Sequence, residues 1–169
     1  MSHAFDTIKQ FSKMLRNLDL WLDKGVAYAA TRPFDPNVLV LARLAPDQFS
    51  LDRQVQSACD AAKFAAVYLT GKQAPAHPDV EKTIPELQAR IAAVRGCLEG
   101  FTEADFAGAD ERKVAPPWMH GKWLRGDDYL EGVACANFYF HVTTAYSILR
   151  HCGVPLGKTD FIGPLPVHE

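Results

Sequence analysis

His141 is the residue of this 169-residue chain best placed to do chemistry, because it lies in the middle of a strongly apolar stretch. Asn137 and Thr144 stand four residues before it and three after it, so all three would share one face of a helix. A buried imidazole needs a hydrogen-bond partner or a metal ion, since an unpaired polar group in a core costs roughly 1–3 kcal/mol. One interpretation is a structural histidine that is satisfied by Asn137, a backbone carbonyl or a carboxylate from another helix. The other is a proton-transfer or metal site.

Asp60 is the second candidate for a chemical role. It lies on a predicted helix, opposite an alanine-rich stripe, and its neighbours four and seven residues on are apolar. An aspartate on such a face would pair with Lys63 or, across the bundle, with His141, and the second pairing would raise the pKa of the histidine. The alternative is a solvated surface residue, because lone aspartates are mostly exposed. The candidate catalytic residues are therefore His141, Asp60 and Asn137.

A metal site at His141 would need further donors, and the sequence offers few of them. A tight transition-metal site takes three or four nitrogen, sulfur or oxygen ligands. The usual helical partner is a second histidine four residues on, and that position is Ala145. We therefore expect His141 to hold a divalent metal weakly at most, together with Asp60 and water.

Composition and motifs argue against several other classes of function. The formal net charge of −2 disfavours a nucleic-acid or membrane-surface binder. No phosphate-binding loop, dinucleotide fingerprint or serine-nucleophile elbow is present. The four cysteines have no paired or metal-finger spacing and are expected to be structural thiols; they are Cys59, Cys97, Cys135 and Cys152. No long apolar run and no signal-peptide pattern occurs, which predicts a cytoplasmic protein.

The elements that must position these residues are predicted to be four long helices. Apolar residues recur at spacings of three and four in each of them. Asp35, Ser50 and Thr83 are expected to cap helical segments, and Asp127 or Asp128 the last long helix. The predicted helices cover residues 5–30, 51–69, 84–100 and 127–151, with short helical turns within 39–44.

The predicted architecture is an all-α four-helix bundle in one domain of residues 1–169. The third connection, about 25 residues long, is the irregular part and would cross one end of the bundle. It holds two short extended pieces, and Trp118 and Trp123 are expected to cover that end of the core. The last helix is apolar around most of its circumference, which predicts complete burial. The tail from Gly153 is expected to be an ordered loop packed on the bundle.

Several segments resemble an uncharacterised bacterial family, domain of unknown function nineteen-ninety-three, within the DinB/YfiT-like superfamily. The most specific of them spans the last helix and the start of the tail, and the resemblance covers essentially the whole chain. The segments are NFYFHVTTAY at 137–146, ILRHCGVPLGKTDF at 148–161, LARLAPD at 41–47, and Gln54-Val55-Gln56 with Asp60 and Lys63.

The resemblance implies a DinB/YfiT-like bundle with a long crossover connection, commonly a homodimer. Its relatives often bind a divalent metal through three histidines, and several are thiol-dependent transferases or isomerases. This chain matches one of those histidines with His141, and its second long helix has none, so the metal position is degenerate. One hypothesis is therefore a non-catalytic dimeric bundle. The other is a metal-assisted or thiol-dependent transferase or isomerase whose small-molecule ligand, not yet identified, enters a polar pocket around His141.

Overall fold

The computed structural model describes residues 2–167, so Met1, His168 and Glu169 lie outside the described chain. The elements in order are α1 (His3–Ala30), a 3-10 turn (Pro36–Leu41), α2 (Leu51–Thr70), α3 (Ile84–Glu99), a 3-10 turn (Glu103–Phe106), β1 (Lys113–Val114), a 3-10 turn (Pro117–Met119), β2 (Leu124–Arg125), α4 (Gly126–Tyr129), a π-helical segment (Leu130–Cys135), α5 (Ala136–His151) and α6 (Lys158–Ile162). Residues 126–151 form one continuous helical rod, here called the fourth column, because backbone angles stay helical at both junctions. The all-α four-helix architecture is thus confirmed.

Local sequence signals account for most helix ends. The Thr83 hydroxyl accepts a hydrogen bond from the Glu86 amide and the Glu86 carboxylate accepts one from the Thr83 amide, which is the predicted capping box. Asp35 caps the first 3-10 turn through the Asn37 amide. The second helix ends at Gly71, whose φ of 74° lies in the left-handed region that glycine favours. Ser50 occupies the first cap position of that helix, but its hydroxyl donates to Asp52 and caps no amide.

One hydrophobic core draws on all four long helical units. The α2 helix packs against α3 and α5, and α1 packs against the same two helices. Ile8, Phe11, Leu15, Leu18 and Leu22 repeat at the predicted spacing and are all buried. No helix among residues 2–167 is both long and apolar enough to cross a membrane.

The connection before the fourth column differs from its prediction. The two extended pieces pair as an antiparallel ribbon, with Val114 opposite Leu124. Trp118 and Trp123 do not cover the core, since 58% and 51% of their surfaces are exposed. Phe101 and Phe106 are buried instead, with their ring centroids 6.1 Å apart, and Phe106 packs against Phe5 of α1 at 5.7 Å.

The fourth column also begins and packs differently from its prediction. It starts at Gly126, with Arg125 in the cap position, so neither Asp127 nor Asp128 is the cap. A Cβ on Gly126 would lie 1.7 Å from the Ala109 carbonyl oxygen, which is why the chain needs glycine at this entry. Burial is not complete either: α1 and α2 pack on two sides of α5 and leave Phe140 56% exposed on a third.

The tail forms a short helix where a loop was expected, and it does pack on the bundle. The α6 helix lies against α1, where Trp21 donates to the Asp160 carbonyl at 3.0 Å and Asn17 donates to the Phe161 carbonyl at 2.9 Å. The rings of Trp21 and Phe161 stack at 5.4 Å. The tail therefore closes one side of the bundle.

Candidate functional site

A cavity of about 690 Å³, here called the site cavity, opens between α2 and the fourth column. The α2 helix supplies one wall with Arg53, Ser57, Asp60, Ala61, Phe64 and Tyr68. The fourth column supplies the opposite wall with Tyr129, Val133, Ala134, Asn137 and His141. The connections add Asp79, Pro117 and Trp118. All three residues singled out from the sequence, His141, Asp60 and Asn137, therefore line one cavity.

His141 is held by a residue that sequence reasoning did not select. Its Nδ1 atom lies 2.8 Å from Oε1 of Gln54, a fully buried side chain of α2. The partner of Nδ1 is therefore none of those considered from the sequence, which were Asn137, a backbone carbonyl and a carboxylate; Asn137 is exposed on the cavity wall. The available signals for Gln54 were its place on the apolar stripe of α2, next to Val55 and one turn before Ala58, and its place in a segment that resembles the family.

The pKa of His141 is shifted in the direction opposite to the one that a pairing with Asp60 would produce. Burial lowers the pKa of the imidazole below its ordinary value, and the positive charge of Arg53 lowers it further. A pairing with Asp60 would have raised it, but Asp60 makes no contact of that kind. The histidine is therefore neutral at physiological pH.

Asp60 belongs to a cluster of charges built around two buried cations, Lys63 and Arg90. Its Oδ1 atom accepts from Arg90 at 2.8 Å and from Lys63 at 2.9 Å, so the predicted pairing with Lys63 is confirmed and the one with His141 is wrong. The Arg90 side chain, on α3, is only 1% exposed and also reaches Asp79 and Glu81, at 3.3 and 3.2 Å. Position 90 lies on the buried face of α3, three residues after Leu87, which was the sequence signal for it.

This charge cluster fastens the segment between α2 and α3 to the wall of the site cavity. Arg53 binds Asp79 at 2.6 Å, and Gln56 binds Glu81 at 2.8 Å. The three cations of the cluster face three carboxylates, so its charges balance; they are Arg53, Lys63 and Arg90 against Asp60, Asp79 and Glu81. Asp60 is consequently committed to structure and is poorly placed to act as a free base.

The π-helical segment, Leu130–Cys135, shapes the opposite wall. Such segments are rare and recur at functional sites, because the extra residue per turn changes which side chains face a pocket. Val133 and Ala134, which belong to this segment, line the site cavity. Gly132, a weak helix former, was the one hint of irregularity in the sequence.

The residues present do not fit the three-histidine metal set that the resemblance implies. The Nδ1 atom of His141 is engaged with an amide, the residue one turn on is Ala145, and α2 offers Gln54 where it faces His141. Within residues 2–167, no three side chains of histidine, cysteine, aspartate or glutamate are grouped closely enough to hold an ion.

The chain's thiols are also poor nucleophiles. Burial raises the pKa of the Cys59 thiol to about 12, and it raises the pKa of Cys97, Cys135 and Cys152 as well. A thiol is reactive as the thiolate, so all four stay protonated near neutral pH. All four are free and fit the predicted structural role.

Comparisons with known proteins agree with the fold. The family model described as Domain of unknown function (DUF1993) matches residues 5–162. A crystal structure of a DinB family member from Shewanella denitrificans superposes with a TM-score of 0.93; it is 49% identical, and the match covers 96% of this chain and 92% of that one. No curated protein shows significant similarity to the chain.

Proposed function

This chain belongs to the family Domain of unknown function (DUF1993), and we propose that it binds a small, largely apolar organic molecule in the site cavity without a metal ion. The observation that carries the proposal is the cavity itself. Its volume of about 690 Å³ falls within the range of roughly 300–1,000 Å³ that is typical of small-molecule pockets.

The lining supports an amphipathic ligand. Phe64 stacks on Tyr68 with ring centroids 5.9 Å apart, and Tyr68 meets Tyr129 edge to face at 5.7 Å. Trp118 adds a fourth aromatic surface at the wall. Aromatic side chains offer large apolar contact areas with fixed geometry. Polar and charged side chains lie beside these rings and can orient a ligand by one end; they are Arg53, Ser57, Asp60, Asp79, Asn137 and His141.

A metal-assisted or thiol-dependent transferase or isomerase has less support. The donor set around His141 lacks the second and third imidazoles, and the chain's own thiols are held protonated. We also propose a cytoplasmic location, because four free cysteines suit a reducing compartment.

The proposal is tested by titrating 2-methoxynaphthalene into protein that has been dialysed against a chelator. Tryptophan fluorescence reports binding. We expect saturable quenching that persists after the chelator treatment. Ser57→Phe fills the cavity from α2 and should weaken binding at least about tenfold, which is about 1.4 kcal/mol. Ser147→Phe, the same substitution on α5 outside the cavity lining, is the matched control and should bind as the wild type does. Equal binding by both variants, or no saturable binding at all, would refute the proposed function.

A further inference from the structure

The hydrogen bonds of Gln54 decide which nitrogen of His141 carries the proton. The Gln54 Nε2 atom lies 3.3 Å from the carbonyl oxygen of Phe49, which can only accept. The amide must therefore present its NH₂ group to Phe49 and its carbonyl oxygen to His141. That oxygen also only accepts, so the Nδ1 atom of His141, 2.8 Å away, must donate.

A neutral imidazole has one N–H and one lone pair. With the proton fixed on Nδ1, the lone pair is on Nε2. Within residues 2–167, no group forms a hydrogen bond with Nε2 of His141. Nε2 is also not one of the fully buried polar atoms that lack a partner in this part of the chain. Because Nδ1 faces the buried glutamine and His141 lines the site cavity, Nε2 lies on the cavity side of the ring.

We infer that His141 presents Nε2 to the site cavity as a hydrogen-bond acceptor, with Gln54 as its positioning residue, so that the ligand is an aromatic or apolar molecule bearing a hydroxyl or N–H donor. This inference rests on the proposed function, since it names the class of ligand for the same cavity. The lowered pKa of His141 supports it, because a protonated ring would offer no lone pair. The aromatic wall of Phe64, Tyr68 and Tyr129 receives the body of such a ligand while its donor group reaches His141.

The first test reads the tautomer directly and needs no ligand. In ¹⁵N-histidine-labelled protein near pH 7.5, NMR should show Nδ1 protonated and Nε2 unprotonated for His141, with His141→Gln used to assign the signal. Gln54→Met removes the acceptor for Nδ1 and should release the ring to populate the Nε2-protonated form. Gln54→Glu, a second variant in case the first does not fold, should draw a proton onto both nitrogens. A wild-type ring protonated on Nε2 would overturn the inference.

The second test compares 2-naphthol with 2-methoxynaphthalene, which differ in the donor and share the ring. Wild-type protein should bind 2-naphthol about five- to tenfold more tightly, the effect of one hydrogen bond to a desolvated acceptor. Gln54→Met and Gln54→Glu should each reduce that preference toward one. Equal affinity of the wild type for the two compounds would overturn this inference and leave the proposed function standing. If neither compound binds, both fail.

Discussion

At the residue scale, the chemistry open to this site depends on a single contact between α2 and α5. Gln54 and His141 are 87 positions apart in the sequence, and the imidazole is oriented only because the two side chains meet. Together they give a neutral, oriented imidazole beside an aromatic cavity. Asp60, the second candidate from the sequence, is instead neutralised by Lys63 and Arg90.

The lowered pKa of His141 predicts a specific pH dependence of stability. The unfolded chain keeps an ordinary histidine pKa of 6.5, whereas the folded chain takes up the proton only at lower pH. As the pH falls through 6.5 the unfolded state therefore binds more protons, and the free energy of unfolding decreases until the folded pKa is passed. We expect wild-type protein to lose more unfolding free energy than His141→Gln between about pH 7.5 and 5.5.

Urea unfolding at several pH values measures this difference. The pKa of His77 is lowered as well, chiefly by its own burial, but that residue is present in both proteins and cancels in the comparison. A variant with the same pH dependence as the wild type, or a steeper one, would place His141 in contact with solvent.

The residues of the site were only partly predictable. His141, Asp60 and Asn137 could be selected because polar groups stand out on apolar helices, and all three line the cavity. Their partners, Gln54 and Arg90, could not be predicted, because helical periodicity indicates which face of a helix is buried but not which residues of two helices meet. In the sequence, these two residues stand out only as polar side chains on the buried faces of their helices.

At the element scale, the segment between α2 and α3 acts as part of the cavity wall. It has no regular structure of its own, yet Asp79 and Glu81 tie it to Arg90 and Arg53. Periodicity gives no information about such a segment, which is why its attachment to the bundle by ion pairs was not predicted. The helices themselves were predicted well, because capping residues and apolar spacing are local signals.

Removal of the central cation of this cluster should be strongly destabilising. Arg90→Met leaves three carboxylates, those of Asp60, Asp79 and Glu81, without their shared partner. Breaking a buried ion pair from one side costs on the order of 3 kcal/mol. Arg95→Met is the matched control on the same helix, because its partner Glu99 is largely exposed and such a surface pair contributes less than about 1 kcal/mol.

Chemical denaturation of the two variants distinguishes these cases. A loss of unfolding free energy that is equal in Arg90→Met and Arg95→Met would mean that the cluster adds nothing beyond an ordinary surface pair. Trypsin cleavage after Lys72 or Lys82 provides a second readout, since the released segment should be cut faster in Arg90→Met than in the control.

At the scale of the whole molecule, the bundle leaves apolar side chains uncovered on several helices, α1 and α5 among them. Leu20 and Val26 are exposed on α1, and Phe140 on α5. Closed two-fold dimers are the commonest oligomers, and the family resemblance implies one. We therefore propose a homodimer formed through helix faces.

Light scattering at micromolar concentration tests the oligomeric state. We expect twice the chain mass of 18.7 kDa, and Phe140→Lys should shift the population toward the monomer if α5 contributes to the interface. Lys122→Glu, a charge change at an exposed position outside α1 and α5, serves as the control and should leave the mass unchanged. A wild-type protein that is monomeric at these concentrations would contradict the proposed dimer.

The central claim is that the site cavity binds an aromatic molecule with a donor group and does so without a metal ion. The most direct test is anomalous diffraction from crystals of protein purified without added metal and soaked with 6-bromo-2-naphthol. The account predicts a bromine peak inside the cavity, between α2 and the fourth column, with the hydroxyl directed at Nε2 of His141 and no metal peak at that atom. A bromine peak found only outside the cavity, or a metal ion coordinated by His141, would contradict it.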